Sequence, residues 1–174
     1  MIDIVKASIE NTELISEISG KTFVESHGHS ASEKDITDYV LKNYSVETIT
    51  KELQKENNNY YLLYYNQQAI GFSNIVFNAP NPKIESQTVT KLDRIYILEA
   101  FHGLKLGKHF FDFNLQLSKQ HEQTGMWLYV WIENTKAIGF YEKNGFKIIA
   151  NTSFKISENH SNPNYWMYKA FDEH

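Results

Sequence analysis

Along residues 60–132 the apolar pattern of this chain switches from strand-like to helical and back, and each switch coincides with a turn signal. Residues 60–65 are aromatic and aliphatic throughout, Asn66-Gln67-Gln68 makes a turn, and residues 69–77 read as the second arm of a hairpin. Residues 78–86, with Pro80 and Pro82, read as a loop that is expected to be mobile. Residues 89–98 resume strand character, with Ile95 and Ile97 on one face. From about residue 104 to 121 the period is helical: Leu106, Phe110, Phe113 and Leu117 form one apolar stripe. Gly125 ends it, and residues 126–132 are a nearly continuous apolar strand. Strand, helix and strand in succession describe a sheet with helices packed on it.

The flanks extend that plan. Residues 1–7 suggest an opening strand, and Asn11 can cap a helix running to about Ser26, with Leu14, Ile15, Ile18 and Phe23 toward the core. Ser32 with Asp35 makes a capping box before Ile36, Tyr39, Val40 and Tyr44, and Ser45 starts a further turn-rich helix carrying Val46, Ile49 and Leu53. Asn134 caps a short helix containing Ala137, Ile138 and Tyr141, which Gly145 ends. Residues 146–156 and 165–171 make two closing strands around a polar loop. The order β-α-α-β-β-β-α-β-α-β-β is that of an α/β (α+β) fold on a mixed sheet.

No repeat, low-complexity tract or linker divides the chain, so one domain over residues 1–174 is expected. That length buries a core without disulfides or a structural metal. No uncharged apolar run of about 18 residues exists to span a membrane, and Asp3, Lys6 and Glu10 are out of place in a secretory leader. The absence of cysteine excludes a thiolate zinc site and a cysteine nucleophile, and fits a cytoplasmic location. A net charge of -4 argues against nucleic acid as a partner and suits a cationic small molecule.

Residues 92–108, LDRIYILEAFHGLKLGK, carry the first chemical signal. A strand runs through a glycine-containing loop into an amphipathic helix, whose free N–H groups and dipole favour a phosphate or pyrophosphate. The glycine spacing is one residue short of a Walker A loop, His109 stands where that loop needs Ser or Thr, and no G-x-G-x-x-G occurs. On these residues alone, Gly103 and Gly107 serve equally well as turn formers. Residues 126–146, MWLYVWIENTKAIGFYEKNGF, add a strand, an asparagine, a short helix and F-Y-E-K-N-G-F.

Together these stretches resemble the GNAT superfamily of N-acetyltransferases, and the element order matches over the whole chain. The family's Q/R-x-x-G-x-G/A loop corresponds to residues 102–107, where His102 replaces Gln/Arg and Lys105 replaces the first glycine. The N-x-x-A-x-x-F-Y-E-K-x-G-F pattern is intact from Asn134 to Phe146. The resemblance implies a mostly antiparallel sheet with helices on both faces, acetyl-CoA as cosubstrate and no metal. Ile95, Tyr96 and Ile97 would then offer main-chain groups to the pantetheine arm, and Leu104, Lys105, Leu106, Gly107 and Lys108 their N–H groups to the pyrophosphate, with His102 and Gly103 opening that loop. Across from them, Asn134 would hold the pantetheine, with Ala137, Phe140 and Lys143 on the same helix. Tyr141 would sit beside the thioester sulfur, placed to protonate the departing thiolate.

The implied acceptor is a primary amine, which must lose a proton before it attacks. Asp93, on the strand entering the loop, occupies the place where many relatives carry a carboxylate base. Residues 21–26 and 39–41, with 93–97, 107–109 and 130–134, resemble spermidine/spermine acetyltransferases of the PaiA type. That implies a polyamine acceptor, with Phe23, Glu25, Tyr39 and Trp131 contacting it and Asp35 and Asp38 as further cation partners. A protein N-terminus or lysine, and a non-catalytic acyl-CoA-binding regulator, are the competing readings. His27 and His29 lack the spacing of a helical zinc pair, and no G-x-S-x-G supports a serine hydrolase. Nothing in the sequence separates a monomer from a homodimer.

Overall fold

The computed structural model describes residues 1–172. Seven strands form one sheet in the order β1-β2-β3-β4-β5-β7-β6. They are β1 (Ile2–Lys6), β2 (Asn58–Tyr65), β3 (Gln68–Val76), β4 (Thr90–Ile97), β5 (Gly125–Trp131), β6 (Lys147–Ser157) and β7 (His160–Ala170). Every neighbouring pair is antiparallel except β4–β5, so the two halves of the sheet meet along its single parallel seam.

The helices are α1 (Thr12–His27), α2 (Glu33–Asn43), α3 (Val46–Leu53), α4 (Leu106–Gln120) and α5 (Thr135–Lys143). The opening helical region is thus three helices, one more than the expected order holds. Ser32 and Ser45 each accept a backbone N–H and start a separate helix. On one face Ile15, Ile18 and Phe23 of α1, Ile36 of α2 and Ile49 of α3 pack onto Tyr60, Leu62 and Phe72. On the other, Phe111 and Leu115 of α4 pack with Phe140 and Tyr141 of α5 against Met126, Leu128 and Met167.

Two expectations need correction. The loop before β4 is packed rather than loose: Trp127 Nε1 donates to Ala79 O at 2.7 Å, and Ile84 is buried against the same ring. β7 begins at His160, well before residue 165, so the polar loop shrinks to Glu158 and Asn159. Pro163 is tolerated there because the β5 ladder ends at Trp131, opposite Asn164, and just beyond it Pro163 only accepts, from Ile132 N–H at 3.1 Å. The lengthened β6–β7 hairpin reaches the α1–α2 loop, where His160 Nε2 lies 2.8 Å from Ser30 O.

Candidate active site

β4 and β5 share only the pairs Thr90↔Met126 and Lys91↔Trp127. Beyond them β4 follows β3 to Ile97 and β5 follows β7 to Trp131. The strands part, and their facing edges carry peptide groups with no sheet partner. Such a split accepts an extended, amide-bearing ligand as it would another strand.

α4 starts beside the end of β4, because Leu106 and Phe110 pack with Ile95 and Ile97. Side chains of Ser32, Ser45 and Asn134 cap α2, α3 and α5, but no side chain caps α4, and its first turn holds no carboxylate. Its leading N–H groups and the positive end of its dipole are therefore available to an anion. A Cβ built on Gly107 would come no nearer than 3.9 Å to another side chain, the Ile97 Cδ1, so a ligand can approach this backbone closely.

The turn into α4 uses Gly103 at φ 85° and Lys105 at φ 61°. The loop needs the left-handed conformation at both positions, and a lysine holds it at a cost of about 1 kcal/mol. Lys105→Gly should accordingly raise Tm by about 2–4 °C, and Lys105→Val should lower it, in thermal unfolding of the ligand-free protein. His102, although exposed, is engaged: its Nε2 lies 2.8 Å from Ile97 O, so the ring ties the turn to the last carbonyl of β4.

Across the split, Asn134 Oδ1 accepts the Ala137 N–H at 3.2 Å and fixes the start of α5. That positions Tyr141, whose ring is wedged among Phe111, Phe140 and Phe146 at centroid distances of 6.0, 5.5 and 5.6 Å. Burial pushes the Tyr141 phenol up to about 12, so it stays protonated at neutral pH. The phenol of Tyr96, on β4, is close enough to feel it electrostatically.

At the open end of the split stands His27, the last residue of α1. Its ring stacks on Phe23 at 4.9 Å, meets Tyr96 of β4 edge-on at 6.2 Å and lies 6.1 Å from Trp131 of β5. It thus bridges the mouth between the two parted strands.

Comparison with known proteins agrees with this geometry. Residues 15–146 match the model of the Acetyltransferase (GNAT) family. The chain belongs to that family. A spermidine N(1)-acetyltransferase of Thermoplasma acidophilum is 27% identical over 154 residues, covering 84% of this chain and 89% of that protein. An uncharacterised N-acetyltransferase encoded in the pepI 3′ region of Lactobacillus delbrueckii subsp. lactis is 23% identical over 158 residues, covering 90% of this chain and 91% of its own. Among solved structures, the PaiA N-acetyltransferase of Thermoplasma acidophilum in complex with coenzyme A superposes with a TM-score of 0.78 at 22% identity, over 98% of this chain and 99% of that one. The protein is a GNAT-type, acetyl-CoA-dependent N-acetyltransferase.

Several residues expected to act in this acetyltransferase have other work in the fold. Asp93 is the extra residue of a β-bulge opposite Asn74 and Ile75. Its carboxylate is engaged by Lys91 at 3.0 Å, Arg94 at 3.6 Å and the Asn74 amide at 3.3 Å. Burial alone would raise its pKa, but the two cations and the amide outweigh burial and hold it below the usual carboxylate range. It therefore has little tendency to take up a proton. Phe23 is only 2% exposed and is sandwiched between His27 and Tyr39, a core ring behind the site rather than a contact surface. Glu25 accepts the Glu99 N–H at 2.8 Å, clamping α1 to the turn after β4. Asp38 is paired with Lys34 on the exposed face of α2. Tyr39 and Trp131 remain half-buried beside the mouth of the split.

In the sequence His27 shows only a spacing to His29 that does not suit zinc. α1 continues through it, and only the tertiary contacts of this last turn with Tyr96 and Trp131 reveal its setting. Burial lowers its pKa to about 4. The unfolded chain takes up this proton near pH 6.5, whereas the folded chain does so only near 4. Stability should therefore fall as pH drops through that window, by up to about 3 kcal/mol. His27→Phe should flatten this segment of a denaturation-versus-pH curve.

Proposed function

We propose that acetyl-CoA lies along the split between β4 and β5 and that its acetyl group passes to a primary amine by direct attack. The observation that carries this reading is the seam paired at only two positions, with an uncapped helix N-terminus beside it. The pantetheine amides fit the peptide edges of β4 at Ile95, Tyr96 and Ile97, with Asn134 on the opposite side. The pyrophosphate fits the N–H groups of residues 104–108, with Lys105 and Lys143 as further cosubstrate contacts, while the Lys108 ammonium is already paired with Asp112. Acetyl-CoA supplies a thioester, and with no cysteine in the chain the amine is taken to attack it directly rather than a thiol-bound acyl-enzyme. Tyr141 keeps its proton at neutral pH and is the donor for the departing thiolate.

The acceptor we favour is a polyamine such as spermidine or spermine. The relative named a spermidine N(1)-acetyltransferase, and an acidic start to α2 at Glu33 and Asp35, support it. A protein N-terminus or lysine needs an open groove, and the contact of His160 with Ser30 joins the β6–β7 hairpin to the α1–α2 loop over that end. Mass-shift screening of spermidine, spermine, free lysine and an unblocked peptide with acetyl-CoA tests the reading. Acetylspermidine is the expected product. Product on the peptide alone would replace the polyamine with a protein acceptor, and no product on any amine would remove the enzyme reading.

A further inference from the structure

We infer that the Nε2 lone pair of His27 is the proton acceptor for the incoming amine, a role that rests on the acetyl-transfer reading above. The argument begins with a tautomer. The Ser26 hydroxyl has one proton, and its oxygen lies 2.9 Å from Thr22 O and 3.3 Å from Phe23 O, the carbonyls of the preceding helical turn. With its proton directed there, Ser26 Oγ meets the imidazole as an acceptor. His27 Nδ1, at 2.7 Å, must therefore carry the ring proton. Nε2 is left as a bare lone pair, and among the described residues no protein group bonds to it.

The ring is held in place by Phe23 behind it and stands over the mouth of the split, between Tyr96 of β4 and Trp131 of β5. Asp93, the carboxylate expected from the sequence to act as base, is already engaged by Lys91 and Arg94. The other titratable groups packed around His27 do not compete for the role. Tyr96 from β4 and, beyond Phe23, Tyr39 from α2 are raised by burial and remain protonated. His29 is exposed, and His160 of the hairpin is bonded to Ser30 O and Asn162 Oδ1.

The step balances as follows. The substrate ammonium gives one proton to His27 Nε2, and its freed nitrogen lone pair forms the N–C bond at the thioester carbonyl. As the C–S bond breaks, sulfur leaves with the electron pair. Tyr141 gives its proton to that sulfur and is restored by the second proton lost by nitrogen, and the imidazolium returns its proton to solvent. Burial lowers the His27 imidazole to about 4 in the free protein, and an ammonium desolvated beside it is lowered for the same reason. A transfer from one cation to a neutral base conserves the charge.

The test compares the wild type with His27→Gln, which keeps a hydrogen-bond acceptor without basicity, and His27→Phe, which keeps the stack on Phe23. Initial rates with the amine acceptor are measured from pH 6.5 to 9.5, together with acetyl-CoA affinity. At pH 7 both variants should lose on the order of 10²-fold or more in kcat/KM for the amine, with the acetyl-CoA dissociation constant within about twofold of wild type. The deficit should shrink by up to about tenfold per pH unit as solution itself supplies neutral amine. A deficit that does not change with pH, or none at all, would overturn the inference while leaving acetyl transfer intact. A wild type that acetylates no amine would overturn both.

Discussion

Tyr141→Phe should lower kcat by about 10²-fold or more while acetyl-CoA affinity changes little. The substitution leaves the ring among Phe111, Phe140 and Phe146, so the α4–α5 packing that shapes this side of the split survives. What disappears is the hydroxyl, a group that burial keeps protonated. A thiolate of pKa about 8.5 departs more readily when a proton is offered as the C–S bond breaks. An activated aryl thioester needs that help less, so its rate should fall less. Equal losses on both thioesters, or no loss on either, would make Tyr141 a packing residue and assign departure to water or another group.

Gly107→Glu should weaken acetyl-CoA binding on the order of 10²-fold, about 2.7 kcal/mol, with no loss of fold stability. The two effects have opposite signs for one reason. A carboxylate in the first turn of α4 satisfies the helix dipole and replaces a glycine inside a helix, both of which stabilise the free protein. It also occupies the N–H groups proposed for the pyrophosphate and repels it. Gly107→Ala is the control for shape, since its Cβ meets nothing closer than Ile97 Cδ1 at 3.9 Å. Calorimetric titration showing unchanged affinity for Gly107→Glu would take this loop out of the binding site. Retained affinity in Gly107→Ala beside a strong loss in Gly107→Glu would identify charge as the cause.

Much of this architecture was written locally. The strand run of residues 58–76, the break into α4 and the Asn134 cap each depend on neighbours a few residues apart, and these three features agree with those observed to within a few positions. The Asn66-Gln67 turn takes positive φ at both residues, 48° and 68°, which suits a tight hairpin. Element faces were less legible. The apolar stripe expected on α4 included Phe113 and Leu117, yet both are only half-buried. The buried face of α4 is shared with polar groups: Asn114, which accepts the Ser73 hydroxyl at 2.9 Å, and Ser118, which bonds to Thr90. An apolar count cannot detect a helix face that is buried through hydrogen bonds to strands distant in sequence.

The candidate site divides the same way. Its backbone part, the β4–loop–α4 turn and the α5 motif, is contiguous in sequence, because strand, turn and helix-cap preferences act over a few residues. The sequence by itself therefore determined the family, the main-chain groups proposed for the cosubstrate and the placement of Tyr141 on α5. The tertiary structure decided which side chains are free to act. Asp93 and Glu25 carry the right chemistry in sequence, but ion pairs and a backbone N–H engage them once β3, β4 and α1 assemble. His27 carries no motif, and it gains a desolvated, single-tautomer imidazole over the mouth of the split only because the last turn of α1 ends where β4 and β5 part. Burial and hydrogen-bond partners arise between segments far apart in the chain, and those two quantities set whether a carboxylate or an imidazole can take a proton.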